Sequence, residues 1–151
     1  MPKFSLGRDL DFFHSIAREL VDTVIENTFV LFKIDLNATT VNIYGESLNK
    51  TWHPGVELFG LVDKDPEGVT YEGFGSEATQ TMTFKVDRGL CEERNTYPEI
   101  GDVIYYDSSY YEIDNTNEIQ FVAGAPNNNW SIVISAFEVS KSNLNIEERI
   151  K

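Results

Sequence analysis

Positive charge is scarce in this chain. Of its 151 residues, twelve are Lys or Arg and twenty-five are Asp or Glu, a formal net charge of -13 with a pI near 4.4. The few cations do not gather. Lys3 and Arg8 stand at the start, Lys141, Arg149 and Lys151 at the end, and the other seven are scattered singly among acids. From Asn95 to Ser140 there are seven Asp or Glu residues and no Lys or Arg. Gripping phosphate requires clustered cations, so nucleic-acid and anionic-membrane surfaces are disfavoured from the start.

Cysteine is nearly absent as well. Cys91 stands alone, so no internal disulfide forms, and a chain of this length buries roughly two thirds of its unfolded surface without one. No run of about 18 apolar residues is present to span a bilayer, and Met1 to Arg8 lacks the apolar centre of a secretory signal. Synthesis in the cytosol, away from membrane, is the expectation. The sequons at Asn37, Asn49 and Asn129 then read as chance in an Asn-rich and Thr-rich chain.

Catalytic and ligand motifs are missing too. Soft or borderline metal ligands reduce to His14, His53 and Cys91, far apart and in unrelated contexts. Asp63-Lys64-Asp65-Pro66-Glu67-Gly68 opens like a calcium loop with glycine sixth. Its twelfth position is Phe74 where a bidentate Glu belongs, and Pro66 interrupts it, so a solvated acidic turn is the reading. There is no Gly-X-Ser-X-Gly elbow and no phosphate-cradling glycine loop, and Glu92 and Glu93 beside Cys91 disfavour a thiolate. No catalytic residue, metal or cofactor is expected, and the chain is not read as an enzyme.

What is present is apolar and aromatic: 41% hydrophobic and 13% aromatic residues, enough for one core and one domain across 1–151. After a short arm at 1–8, residues 9–27 carry helical periodicity, with Asp9 as N-cap and Asn27 as terminator. The stripe Leu10, Phe13, Ala17, Leu20 and Val24 is widened by Phe12, Ile16 and Val21. So wide a face packs on its own sheet, or partly on a neighbouring subunit. Strand signals then run through 28–140. Phe29 to Asp35 and Thr39 to Tyr44 read as a hairpin joined at Leu36-Asn37-Ala38, and Val56 to Val62 as a third strand. In Thr79 to Val86 a period of two places Gln80, Met82, Phe84 and Val86 on one face. Residues 63–76 read as a polar loop, Ile119 to Ala123 as a short strand, Trp130 to Ser140 as a central strand, and 141–151 as a charged tail. The fold class that follows is mainly β (α+β): a small β-barrel or sandwich with one N-terminal α-helix.

The most distinctive stretch runs from Pro98 to Ile113, two aromatic runs folded across a polar turn. Tyr105, Tyr106, Tyr110 and Tyr111 would suit base stacking, but that chemistry needs a basic groove, and Asp102, Asp107, Glu112 and Asp114 stand there instead. Outward Tyr residues of such a hairpin are protein-interface anchors, so these four are the interface candidates. Asp65, Glu67, Tyr71 and Phe74 of the 63–76 loop join them.

At these residues the chain resembles the neck, or head-completion, proteins of tailed bacteriophages. The similar parts are Pro98-Glu99-Ile100-Gly101-Asp102 leading into Val103-Ile104-Tyr105-Tyr106, then Tyr110-Tyr111-Glu112-Ile113 and Phe121-Val122-Ala123-Gly124. Trp130-Ser131-Ile132, Phe137-Glu138-Val139-Ser140-Lys141-Ser142 and Leu144-Asn145-Ile146-Glu147 complete the series. It covers roughly the last third of the chain. The resemblance implies a virion protein that forms a homo-oligomeric ring between portal and tail, contacts portal or adaptor and tail proteins, and has no catalytic residues. Charge and resemblance together suggest an acidic channel surface that lets DNA pass without specific binding. Two other readings of the charge and the tyrosines are an acidic DNA mimic inhibiting a DNA-handling enzyme, and a carbohydrate-binding β-domain.

Overall fold

The computed structural model describes residues 7–41, 47–64, 68–72, 75–118, 129–141, 144 and 146, with the backbone alone at 40–41, 47–49, 68–72 and 75–79. In chain order the elements are α1 (Gly7–Glu19), a π-helical turn (Leu20–Ile25), β1 (Thr28–Phe32), β2 (Thr40–Val41), β3 (Ser47–Asn49) and β4 (Val56–Lys64). β5 (Gly68–Glu72), β6 (Gly75–Thr79), β7 (Thr81–Asp87), α2 (Arg88–Glu93), β8 (Val103–Tyr106), β9 (Ser109–Asn117) and β10 (Ser131–Val139) follow. Six strands close into an antiparallel barrel in the order β1-β4-β7-β10-β9-β8, with β8 returning to β1. Closure leaves no unpaired sheet edge among these strands.

Alternation decides what the barrel holds. On β7, Met82, Phe84 and Val86 are buried while Lys85 faces out, as the period of two in the sequence predicts. Phe29 and Leu31 of β1, Leu58 of β4, Ile104 of β8, Ile113 of β9 and Ile132 and Ile134 of β10 join them inside. Phe84 is the hub: its ring lies 5.1 Å from Phe29 and 5.9 Å from both Tyr106 and Tyr111, centroid to centroid. Two local devices permit the curvature. Gly60 lets β4 approach β7 so closely that a Cβ there would stand 2.3 Å from the Lys85 carbonyl oxygen. On β9 the register against β10 skips Asp114, a bulge between Ser135 and Ala136.

A second apolar cluster lies on the outer surface. Phe32, Val103, Tyr110 and Leu144 are buried there, flanked by Val30, Trp52, Tyr105, Val139 and Ile146. The strands β1, β8 and β9 are therefore apolar on both faces, one filling the barrel and the other covered in part by Leu144 and Ile146 of the C-terminal segment.

Several local pairings depart from the sequence reading. β1 pairs with β4 and β8, and the described part of its expected hairpin partner, β2, pairs with β3 instead. A strand apolar on both faces buries more between two barrel neighbours, β4 and the apolar β8, than in an isolated two-stranded hairpin. Asp35 instead closes a local turn, its Oδ1 accepting the N–H groups of Asn37 and Ala38. The 63–76 segment is not a plain loop: β4 extends to Lys64, and β5 pairs with β6 as a two-stranded ribbon. The helix α2, hidden in sequence by Gly89, is started by Asp87, whose Oδ2 accepts the Leu90 N–H, and is anchored by buried Leu90 and Cys91. The short strand expected at Ile119 to Ala123 lies outside the described residues.

Candidate assembly surfaces

The tyrosine hairpin is built as its sequence suggests. Asp107 and Ser108 both take positive φ, 46° and 67°, a two-residue turn whose twist matches that of β8 and β9. Strand alternation then divides the four tyrosines. Tyr106 and Tyr111 point to the barrel interior around Phe84, whereas Tyr105 and Tyr110 lie on the outer face, 4.9 Å apart by ring centroids. Tyr110 and Tyr111 are buried at 7% and 5% exposure, and Tyr105 and Tyr106 are half-buried. The surface this hairpin offers is thus the tip, with Tyr105, Tyr106 and the turn. Tyr106 and Tyr111 also border a polar cavity of about 330 Å³ with Lys64 and Asp107. Among the other interface candidates, Asp65, Glu67 and Phe74 lie outside the described residues, and Tyr71 falls in β5 opposite Ser76.

Directly before the hairpin, Asp102 clamps two loops together. Its side chain is fully buried; Oδ1 accepts the Ile34 N–H at 3.0 Å and Oδ2 accepts the Glu99 N–H at 2.9 Å. Lys33 Nζ stands 3.7 Å from Oδ2 and donates to the Tyr97 carbonyl and to Glu99. Burial raises the Asp102 pKa above the ordinary value, and the two N–H donors and Lys33 counter that rise. Gly101, at φ 94°, makes the turn that aims the carboxyl inward. The Gly-Asp of the sequence motif is therefore a structural latch. It presents Leu36, 77% exposed, and Ile100, 67% exposed, on two loops tied to one point.

α1 is attached quite differently. None of its residues is buried. It lies over the barrel where β1 begins, held by polar clasps: His14 Nε2 is 2.5 Å from Asp87 Oδ1, and Arg18 forks onto both carboxylate oxygens of Glu93. Arg18 holds Glu93 below the ordinary carboxylate range through that hydrogen bond. His14 stacks on Trp130 with ring centroids 4.8 Å apart. Beneath the helix a largely apolar cavity of about 240 Å³ remains, bounded by Ala17 and Val21 on one side and Phe59, Leu61 and Val86 on the other. Away from that cavity, Phe12, Phe13 and Ile16 of α1 and Leu20 and Val24 of the π-helical turn are exposed to solvent at 60%, 53%, 46%, 50% and 69%. The wide stripe in the sequence thus splits, one part over the barrel and the larger part outward.

Cys91 is buried, and burial with nearby Asp87 pushes its thiol up to about 11. Among the described residues no three His, Cys, Asp or Glu side chains converge as a metal site would, and no helix is long and apolar enough to cross a membrane. The apolar stripe of α1 is visible in sequence as a period, whereas Leu36 and Ile100 have no signal there beyond being isolated hydrophobics; which of these side chains stay exposed is a tertiary property.

The fold and its surfaces define a small closed barrel with an appended amphipathic helix. A chain of the virion of a native gene transfer agent particle shares this fold, with a TM-score of 0.55 at 14% identity over 76% of this chain and 94% of that chain. No family model matches the chain, and no curated protein matches it.

Proposed function

We propose that this protein is a structural virion component of a phage-like particle, and that its copies form a ring in the neck between portal and tail. The observation that carries the reading is the shared barrel, which spans 94% of a chain belonging to a gene transfer agent virion. The ordered series from Pro98 to Glu147, which resembles that of phage neck proteins, supports the same class. In this reading the protein acts by holding shape against portal or adaptor and tail proteins, with no turnover and no cofactor. The charge of -13 presents like sign to phosphate, so DNA passes the ring without being held.

The test is particle composition. Purified particles from cells carrying the gene are expected to contain this chain, and particles made without it are expected to accumulate as filled heads lacking tails. Its absence from particles overturns the reading. Retention of duplex DNA by the purified protein at low salt overturns the passage role of the charge.

A further inference from the structure

We propose that the outward face of α1 is one half of a contact between copies of this chain, and that the loops presenting Leu36 and Ile100 are the other half. The inference rests on the ring reading above and names the surfaces that would close the ring.

Three observations meet here. First, Phe12, Ile16 and Leu20 stack one turn apart with Phe13 and Val24 beside them, and together they expose on the order of 500 Å² of apolar surface, the scale at which a monomer's largest patch is often functional. Polar clasps hold the inner side of the helix, so no barrel-core packing accounts for five large hydrophobics facing water. Second, Leu36 and Ile100 add on the order of 250 Å² on loops fixed by Asp102, a presentation that costs little ordering on docking. Third, the two faces lie at opposite ends of β1: α1 enters at Thr28, where Gly60 N–H donates to Asn27, and Leu36 follows Phe32. Unlike surfaces at opposite ends of one subunit make a heterologous contact, the kind that repeats around an axis and closes. Their joint area, about 750 Å², approaches the roughly 900 Å² of apolar surface in a standard interface of about 1,600 Å². A two-fold pairing of α1 with α1 would leave Leu36 and Ile100, 77% and 67% exposed, uncovered.

Sedimentation and native mass measurement across a concentration and salt series test the contact on the whole chain. Wild type is expected to associate, and more strongly as salt screens the repulsion between copies of charge -13. Phe13→Glu and Ile100→Glu each replace an exposed side chain, so their melting curves should match wild type while association weakens about thirtyfold or more. Mixed in equal amounts, the two variants should form a heterodimer and nothing larger, because one intact α1 face then meets one intact loop face. Three results overturn the inference: wild type remaining monomeric at all salts, Ile100→Glu still dimerising while Phe13→Glu does not, which marks the two-fold pairing, or wild type and both variants associating alike. If wild type and both variants associate alike, this contact is wrong and the ring reading survives. Absence of the chain from particles removes the ring reading whatever the mixing experiment shows.

Discussion

Replacing Asp102 by Ala should be among the most damaging single changes in the protein, although the residue sits at a loop and carries no apolar mass. The carboxyl is fully buried and satisfies the backbone N–H groups of Ile34 and Glu99 at 3.0 and 2.9 Å. Truncation leaves two part-buried backbone donors without their partner, each costing about 1–3 kcal/mol, so the loss is about 2–6 kcal/mol. That is a large share of the 5–15 kcal/mol typical of a domain. In urea, with a slope of about 1–3 kcal/mol per molar, the midpoint should fall by about 1–3 M. Asp102→Asn retains one acceptor and should cost roughly half as much. The pH dependence has a definite sign. Burial raises the folded pKa above the unfolded value of 3.8, so the neutral carboxyl contributes stability that is fully present below that value and lost as pH rises through the folded pKa. The stability deficit of Asp102→Asn against wild type should therefore be largest in acid and shrink as pH rises. An unfolding free energy for Asp102→Ala within about 0.5 kcal/mol of wild type would refute the latch.

Three further outcomes follow from the same geometry. Phe84→Ala removes the ring that touches Phe29, Tyr106 and Tyr111 at the barrel centre and should cost about 3–5 kcal/mol by chemical denaturation; a loss under 1 kcal/mol would mean the barrel does not pack around it. Cys91, buried and with its thiol pushed up to about 11, should resist a thiol reagent at pH 8 in the native protein and react at once after unfolding; rapid native labelling would contradict its placement. Arg18→Ala removes a fork onto Glu93 that is partly exposed, so the barrel's melting should barely move while amide exchange across 7–25 accelerates; equal protection in both proteins would show that the clasp does not hold the helix.

Legibility along the chain followed the range of the interactions. The helical stretch, the alternating strand through Val86 and the tyrosine hairpin were readable because their signals are local, a period and a turn; the helix ends were not, since α1 begins at Gly7 with Asp9 inside its first turn, and the left-handed cap is Glu26 rather than Asn27. Asp107 and Ser108 need only their own conformations to reverse the chain. The pairing of β1 was not readable, because Val30 meets Glu57 of β4 on one side and Tyr105 of β8 on the other, partners far away in the chain. For the same reason the Gly-Asp motif read as the lead-in to a strand, while its carboxyl reaches back 68 residues to Ile34. The four tyrosines form one group in sequence, yet only a closed barrel determines that Tyr111 packs inward and that Leu144 lies in the cluster with Tyr110.

Composition and period by themselves determined a β-rich, strongly acidic protein with an amphipathic N-terminal helix, since charge sums without geometry and alternation needs only neighbours. Whether the sheets closed into a barrel or stacked as a sandwich, which tyrosines stayed at the surface, and how the helix's apolar stripe was divided were decided only by the tertiary structure. The physical reason is that burial is a relation between distant segments: Phe13 and Ala17 belong to one stripe in sequence, and only the position of the barrel beneath the helix turns Phe13 outward to water and leaves Ala17 over the cavity.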